Sequence, residues 1–225
     1  MKIVFSLLTI LVVVFVAALL LRPHDGDLQP LEGLPWQIES LEDGASRVFG
    51  VTLGRDTLGS AREHLGPDME LAIVVSGDEA GALEMYYGHY RAGPFNGKLV
   101  LAGELDEATL LQLRQRAGAP KYLDSGARKY HLQPEDLSIG YAAPVVTMTF
   151  IPSVALDEEI ARTRFGPPQE TVRTGDGSTH LLYPALGLDL MLNERHRGVL
   201  QYVAPRDFAR LRAPLPSPSA ETVAK

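Results

Sequence analysis

Residues 57–70 (TLGSAREHLGPDME) and residues 157–170 (DEEIARTRFGPPQE) align without a gap at an offset of 100. Ala61, Arg62, Gly66, Pro67 and Glu70 return as Ala161, Arg162, Gly166, Pro167 and Glu170, and Leu65 returns as Phe165. Each copy reads as a short helix. Leu58, Ala61 and Leu65 fall at i, i+3 and i+7, and Ala161 and Phe165 lie four apart beside Ile160 and Arg164. Asp56 or Thr57 suits the first N-cap, and the acids Asp157, Glu158 and Glu159 suit the positive end of the second helix. In both copies glycine supplies a C-cap and proline blocks continuation.

Strand patterns follow each helix. After the second copy they cover 170–174, 179–183, 188–192 and 199–203; Leu188, Leu190 and Leu192 alternate with Asp189, Met191 and Asn193. After the first they cover 71–76, 83–87 and 98–102, joined by turns rich in Gly, Asp and Pro. Between the copies, residues 106–117 form a helix pattern capped by Asp106, with Leu110, Leu113 and Ala117 as its stripe, and 128–132 and 145–151 read as strands. The simplest account is an α+β chain with two helix-plus-antiparallel-meander modules.

Residues 3–21 (IVFSLLTILVVVFVAALLL) carry no charge and would span about 28 Å as a helix, near the roughly 30 Å bilayer core. A cleaved signal with its site at Val16-Ala17-Ala18 competes with a retained anchor. Three leucines and Arg22-Pro23 follow that site, which favours retention as an N-terminal transmembrane helix. Lys2 lies before the run, and Asp25 and Asp27 offset Arg22 after it. This charge bias puts the chain in the inner membrane, single-pass, with its C-terminal bulk periplasmic. The expected plan is an anchor at 1–21, a Pro/Gly-rich linker at 22–46, a first module with an added helix at 47–142, a second module at 143–211 and a disordered tail at 212–225.

Catalytic signals are scarce. The chain has no Cys and a net charge of −7, which argues against thiolate chemistry, a disulfide framework and nucleic-acid binding. Its six His show no HxH or HExxH spacing, and no serine lies in GxSxG. Acid clusters start helices, where they offset the dipole. His180 and His196 are expected to face solvent. The residues thus point away from an enzyme and toward no cofactor or metal; an enzyme would need His89 and His131 to meet a carboxylate. The segment Tyr86, Tyr87, Tyr90, Arg91 and Phe95 is the candidate partner-binding surface, since Tyr and Arg dominate recognition hot spots. Packing of its rings into the core is the competing reading.

A helix ending in Leu/Phe-Gly-Pro before a meander resembles the SmpA/OmlA (BamE-like) family of bacterial envelope proteins. The likeness is carried by Phe165-Gly166-Pro167-Pro168, Leu182-Tyr183 and residues 187–192 (GLDLML), and more weakly by Leu65-Gly66-Pro67. It implies a small partner-binding module of the envelope, acting as an assembly or scaffolding factor with an envelope protein as partner. Members carry a lipidated N-terminal Cys, which this chain lacks. The tandem layout also resembles secreted β-lactamase inhibitory proteins, which implies the alternative: a periplasmic inhibitor or ligand-binding module that regulates a hydrolase or senses cell-wall fragments.

Overall fold

A computed structural model describes residues 33–77, 80–193 and 198–216. The chain runs through β1 (Glu39–Ser40), β2 (Ser46–Val48), β3 (Val51–Leu53), α1 (Leu58–Leu65), β4 (Glu70–Val75), β5 (Ala82–Ala92) and β6 (Phe95–Gly103). There follow α2 (Glu107–Arg116), β7 (Lys121–Tyr122), β8 (Arg128–His131), α3 (Leu137–Ala142) and β9 (Val145–Pro152). The last elements are α4 (Glu158–Phe165), β10 (Glu170–Arg173), β11 (Ser178–Tyr183), β12 (Leu188–Asn193), β13 (Val199–Val203) and α5 (Ala209–Arg212).

Local chemistry sets the helix ends. Thr57 caps α1 in a reciprocal box: its Oγ accepts from the Ser60 N–H at 3.2 Å, and the Ser60 Oγ accepts from the Thr57 N–H at 3.0 Å. Asp157 caps α4 by accepting from the Ile160 N–H at 2.7 Å. Each helix stops at a glycine of positive φ, 104° at Gly66 and 80° at Gly166, where a Cβ would be strained. A further match lies beyond the aligned stretches. The Tyr87 hydroxyl donates to the Gly66 carbonyl at 3.0 Å, and the Tyr183 hydroxyl donates to the Gly166 carbonyl at 3.2 Å.

The strands correct the expected architecture. The two meanders are not separate modules but one antiparallel ten-stranded sheet, ordered β10-β11-β12-β13-β9-β6-β5-β4-β8-β7. β9, the strand between the copies, joins the two meanders: its Met148 pairs with Leu101 of β6 on one side and with Tyr202 of β13 on the other. A meander left alone would expose an unpaired edge, and this pairing removes it from both. The chain is thus mostly antiparallel sheet with five short α-helices among the described residues. No described helix is long and apolar enough to cross a membrane, and the expected N-terminal transmembrane helix lies outside the described residues.

Residues paired across antiparallel strands share a face. Leu71, Met85, Leu101, Met148, Tyr202, Leu188 and Tyr183 form one continuous row of buried side chains, each paired with the next. This packed face receives Leu58 and Ala61 of α1, Leu110 and Leu113 of α2, and Ala161 of α4. It also receives the small sheet β1-β2-β3 through Val48, Phe49, Val51 and Leu53. Each fully buried Leu or Phe contributes about 1.5–3 kcal/mol.

The segment expected to be a linker is a further correction. From Gly33 onward it belongs to the fold: Leu34, Pro35 and Ala45 are buried, and the Tyr202 hydroxyl donates to the Pro35 carbonyl at 2.9 Å. At the other end, Arg212 pairs with Glu170 at 2.9 Å and Leu215 packs against the cluster of Val172, Leu182, Val203, Phe208 and Leu211, so order continues into the expected tail. Residues 217–225 lie outside the described ones.

Candidate functional site

The five candidate residues do not form one surface. A bulge in β5 separates them: pairing with β6 shifts register between Tyr87 and Tyr90. The extra residue turns both rings to the packed face although they are three apart. Tyr87 is 2 % exposed, and Tyr90 stacks edge-on against Phe49 at 5.4 Å. Burial pushes both phenols up to about 12, so they stay neutral at physiological pH. Tyr86 points to the opposite face, with the Lys129 ammonium 5.8 Å from its ring centroid. Phe95 packs against Trp36 at 5.2 Å. Arg91 is exposed at the end of β5 and makes no ion pair among the described residues.

The face that carries Tyr86 is organised as a palindrome. One row runs Glu70, Tyr86, Val100, Thr149, Gln201, Asp189, Leu182, Glu170, each residue paired with the next across eight strands. Its centre falls between Thr149 and Gln201, and its ends are the two glutamates that match in the sequence. Each glutamate holds a cation, Lys129 at one end and Arg212 at the other.

The two halves of the row differ in cover. In the second half Leu182 is fully buried with Val172, Val203, Phe208 and Leu211 as α5 folds over β10, β11 and β13. Here His180 is buried rather than solvent-facing, which corrects the expectation for it. Its Nδ1 donates to the Asp189 carboxylate, 2.8 Å from Oδ2, and Asp189 is 1 % exposed. The expected alternation placed Asp189 outward; it does point away from the main core but is buried beside His180. His196 lies outside the described residues.

In the first half the row stays open. Tyr86, Val100 and Thr149 are half-buried, as are Gln201 just past the centre and Val74, Ala82, Ala102, Thr147 and Ile151 around them. Solvent-facing sheet surfaces are usually dressed in charge. This one has an uncharged centre with Glu70, Glu84, Lys98 and Lys129 around it. Burial raises the Glu84 carboxyl above its usual range, an effect opposed by Lys129.

Among the described residues no three His, Asp or Glu side chains are grouped to hold a metal ion, and His89 and His131 do not come together with a carboxylate in such a group. Sequence reasoning missed the open row and the His180–Asp189 pair, because both depend on pairings between distant strands. Compared with protein-family models, curated proteins and solved structures, the chain matches none.

Proposed function

We propose that this chain is a non-catalytic protein-interaction module of the cell envelope. It is tethered to the inner membrane through residues 3–21, keeps its bulk in the periplasm and docks an envelope protein on the open half of its sheet. The observation that carries this reading is the uncharged centre of that face, around Val100 and Thr149, bordered by charges. Interface cores are depleted in charge and their rims are polar. Strands lie about 4.8 Å apart, so the open row from β4 to β13 spans about 19 Å, within the extent of a standard protein contact. The resemblance to SmpA/OmlA proteins agrees with an assembly or scaffolding role.

The test is site-specific photocrosslinking of the full chain in intact envelopes. Probes at Val100 and Thr149 give one discrete protein adduct, and a probe at Glu63, exposed on α1, gives none. Val100→Arg puts a charge into the contact and lowers the Thr149 adduct about tenfold. No adduct from either open-face position, or an adduct indifferent to Val100→Arg, defeats the proposal.

A further inference from the structure

On the packed side of the sheet, away from the open face, lies a cleft of about 740 Å³. Its volume is that of a small-molecule site. Trp36, Phe49 and Tyr90 line it, together with Arg47, His64 and Arg91. Glu39 is the only acid in the lining, and it is paired with Arg47 at 3.1 Å. Arg47 is held in place a second time by its Nε, which donates to the Thr52 hydroxyl at 3.2 Å. Arg91 and His64 have no hydrogen bond or ion pair to another described residue.

The wall is built under strain. Phe49 and Gly50 form the two-residue turn between β2 and β3, where both residues have positive φ, 50° and 78°. Phe49 is the only non-glycine residue in that region among the described residues. A bulky side chain is strained there and persists only where its surroundings hold it. Packing against Tyr90, Phe150 and Tyr202 at 5.4–5.9 Å holds it. Gly50 lies against the exposed His64 ring, which a Cβ there would meet at 1.8 Å and push aside. The turn thus sets an aromatic ring and an imidazole side by side in the cleft.

We infer that this cleft binds a small organic anion with a flat apolar group, the anionic end held by the arginines and the apolar part lying among Trp36, Phe49 and Tyr90. The lining carries two arginines against one carboxylate on a chain of net charge −7. At physiological salt the screening length is about 8 Å, so the cleft's own cations govern what enters. Arginine favours carboxylate and phosphate alike, so the shared chemistry is an oxyanion on a ring.

Trp36 is the only tryptophan in the chain and lies in the cleft wall, so its fluorescence senses binding there, and the arginine variants below tie the signal to the cleft. The full chain in detergent is titrated with phenyl phosphate, benzoate and inorganic phosphate. Saturable change with phenyl phosphate or benzoate is expected, and which of the two binds tighter separates a phosphate from a carboxylate ligand. Inorganic phosphate binds at least about tenfold more weakly for want of the ring. Arg47→Gln with Arg91→Gln weakens binding about tenfold or more, while Lys121→Gln with Arg173→Gln, remote from the cleft, leaves it unchanged. Circular dichroism confirms that both variants fold. No saturable change with either ring-bearing anion, equal binding of inorganic phosphate, or equal weakening by the two double variants overturns the inference. None of these results bears on crosslinking at the open face.

Discussion

The two halves of the sheet share one face and differ on the other. On the packed face they match closely: helix, glycine stop, and a tyrosine hydroxyl bonded to that glycine's carbonyl, Tyr87 to Gly66 and Tyr183 to Gly166. On the opposite face Tyr86 and Leu182 are counterparts in the palindromic row, yet Tyr86 is half-exposed and Leu182 is fully buried under α5. The same unit therefore keeps its core while its outer surface is free to be covered or left open. A surface under no obligation to the core is the one available for a partner.

That comparison is breakable at each matched pair, with stability read by urea denaturation. The largest contrast is expected between Leu182→Ala, at about 3 kcal/mol, and Tyr86→Ala, at under about 1 kcal/mol. Equal losses would mean that the open half is as tightly packed as the covered one. Asp189→Ala strips His180 of its partner in a buried setting and should cost about 2 kcal/mol, while Val100→Ala, its counterpart in the row, should cost less than half of that. Tyr87→Phe and Tyr183→Phe remove only the hydroxyl bond, so each should cost about 1 kcal/mol, and the two should agree. A large disparity would show that the glycine carbonyl contact is equivalent in geometry only. Smallest are Glu70→Gln and Glu170→Gln at the ends of the row, each at about 0.5 kcal/mol.

Much of the local structure was legible because its causes are local. Caps at Thr57, Asp106 and Asp157 and alternation in Leu188–Asn193 act over a few residues. The union of β9 with β13 was not, since register between strands some fifty residues apart leaves no mark in either. The bulge in β5 hid the true side of Tyr90; Gly88 is the one residue that hinted at it. Asp189 looked like a solvent residue because its buried partner, His180, lies on the neighbouring strand. Proline and glycine made 33–46 look like a spacer, although Leu34 is buried and the Pro35 carbonyl accepts from the Tyr202 hydroxyl. The candidate site suffered for the same reasons. Tyr86 remains on an open surface, Tyr87 went to the core, and Tyr90 and Arg91 turned out to border the cleft.

The grip of the C-terminal residues on residues 35–46 carries a consequence for biogenesis. Pro35 waits for Tyr202, Ser40 for Ala185, Gly44 for Arg206 and Ser46 for Val203. Loop closure over such separations is slow, and none of these bonds exists until nearly the whole polypeptide has been synthesised. Residues 35–46 therefore gain their place last, closing over a sheet whose earlier strands have already been made.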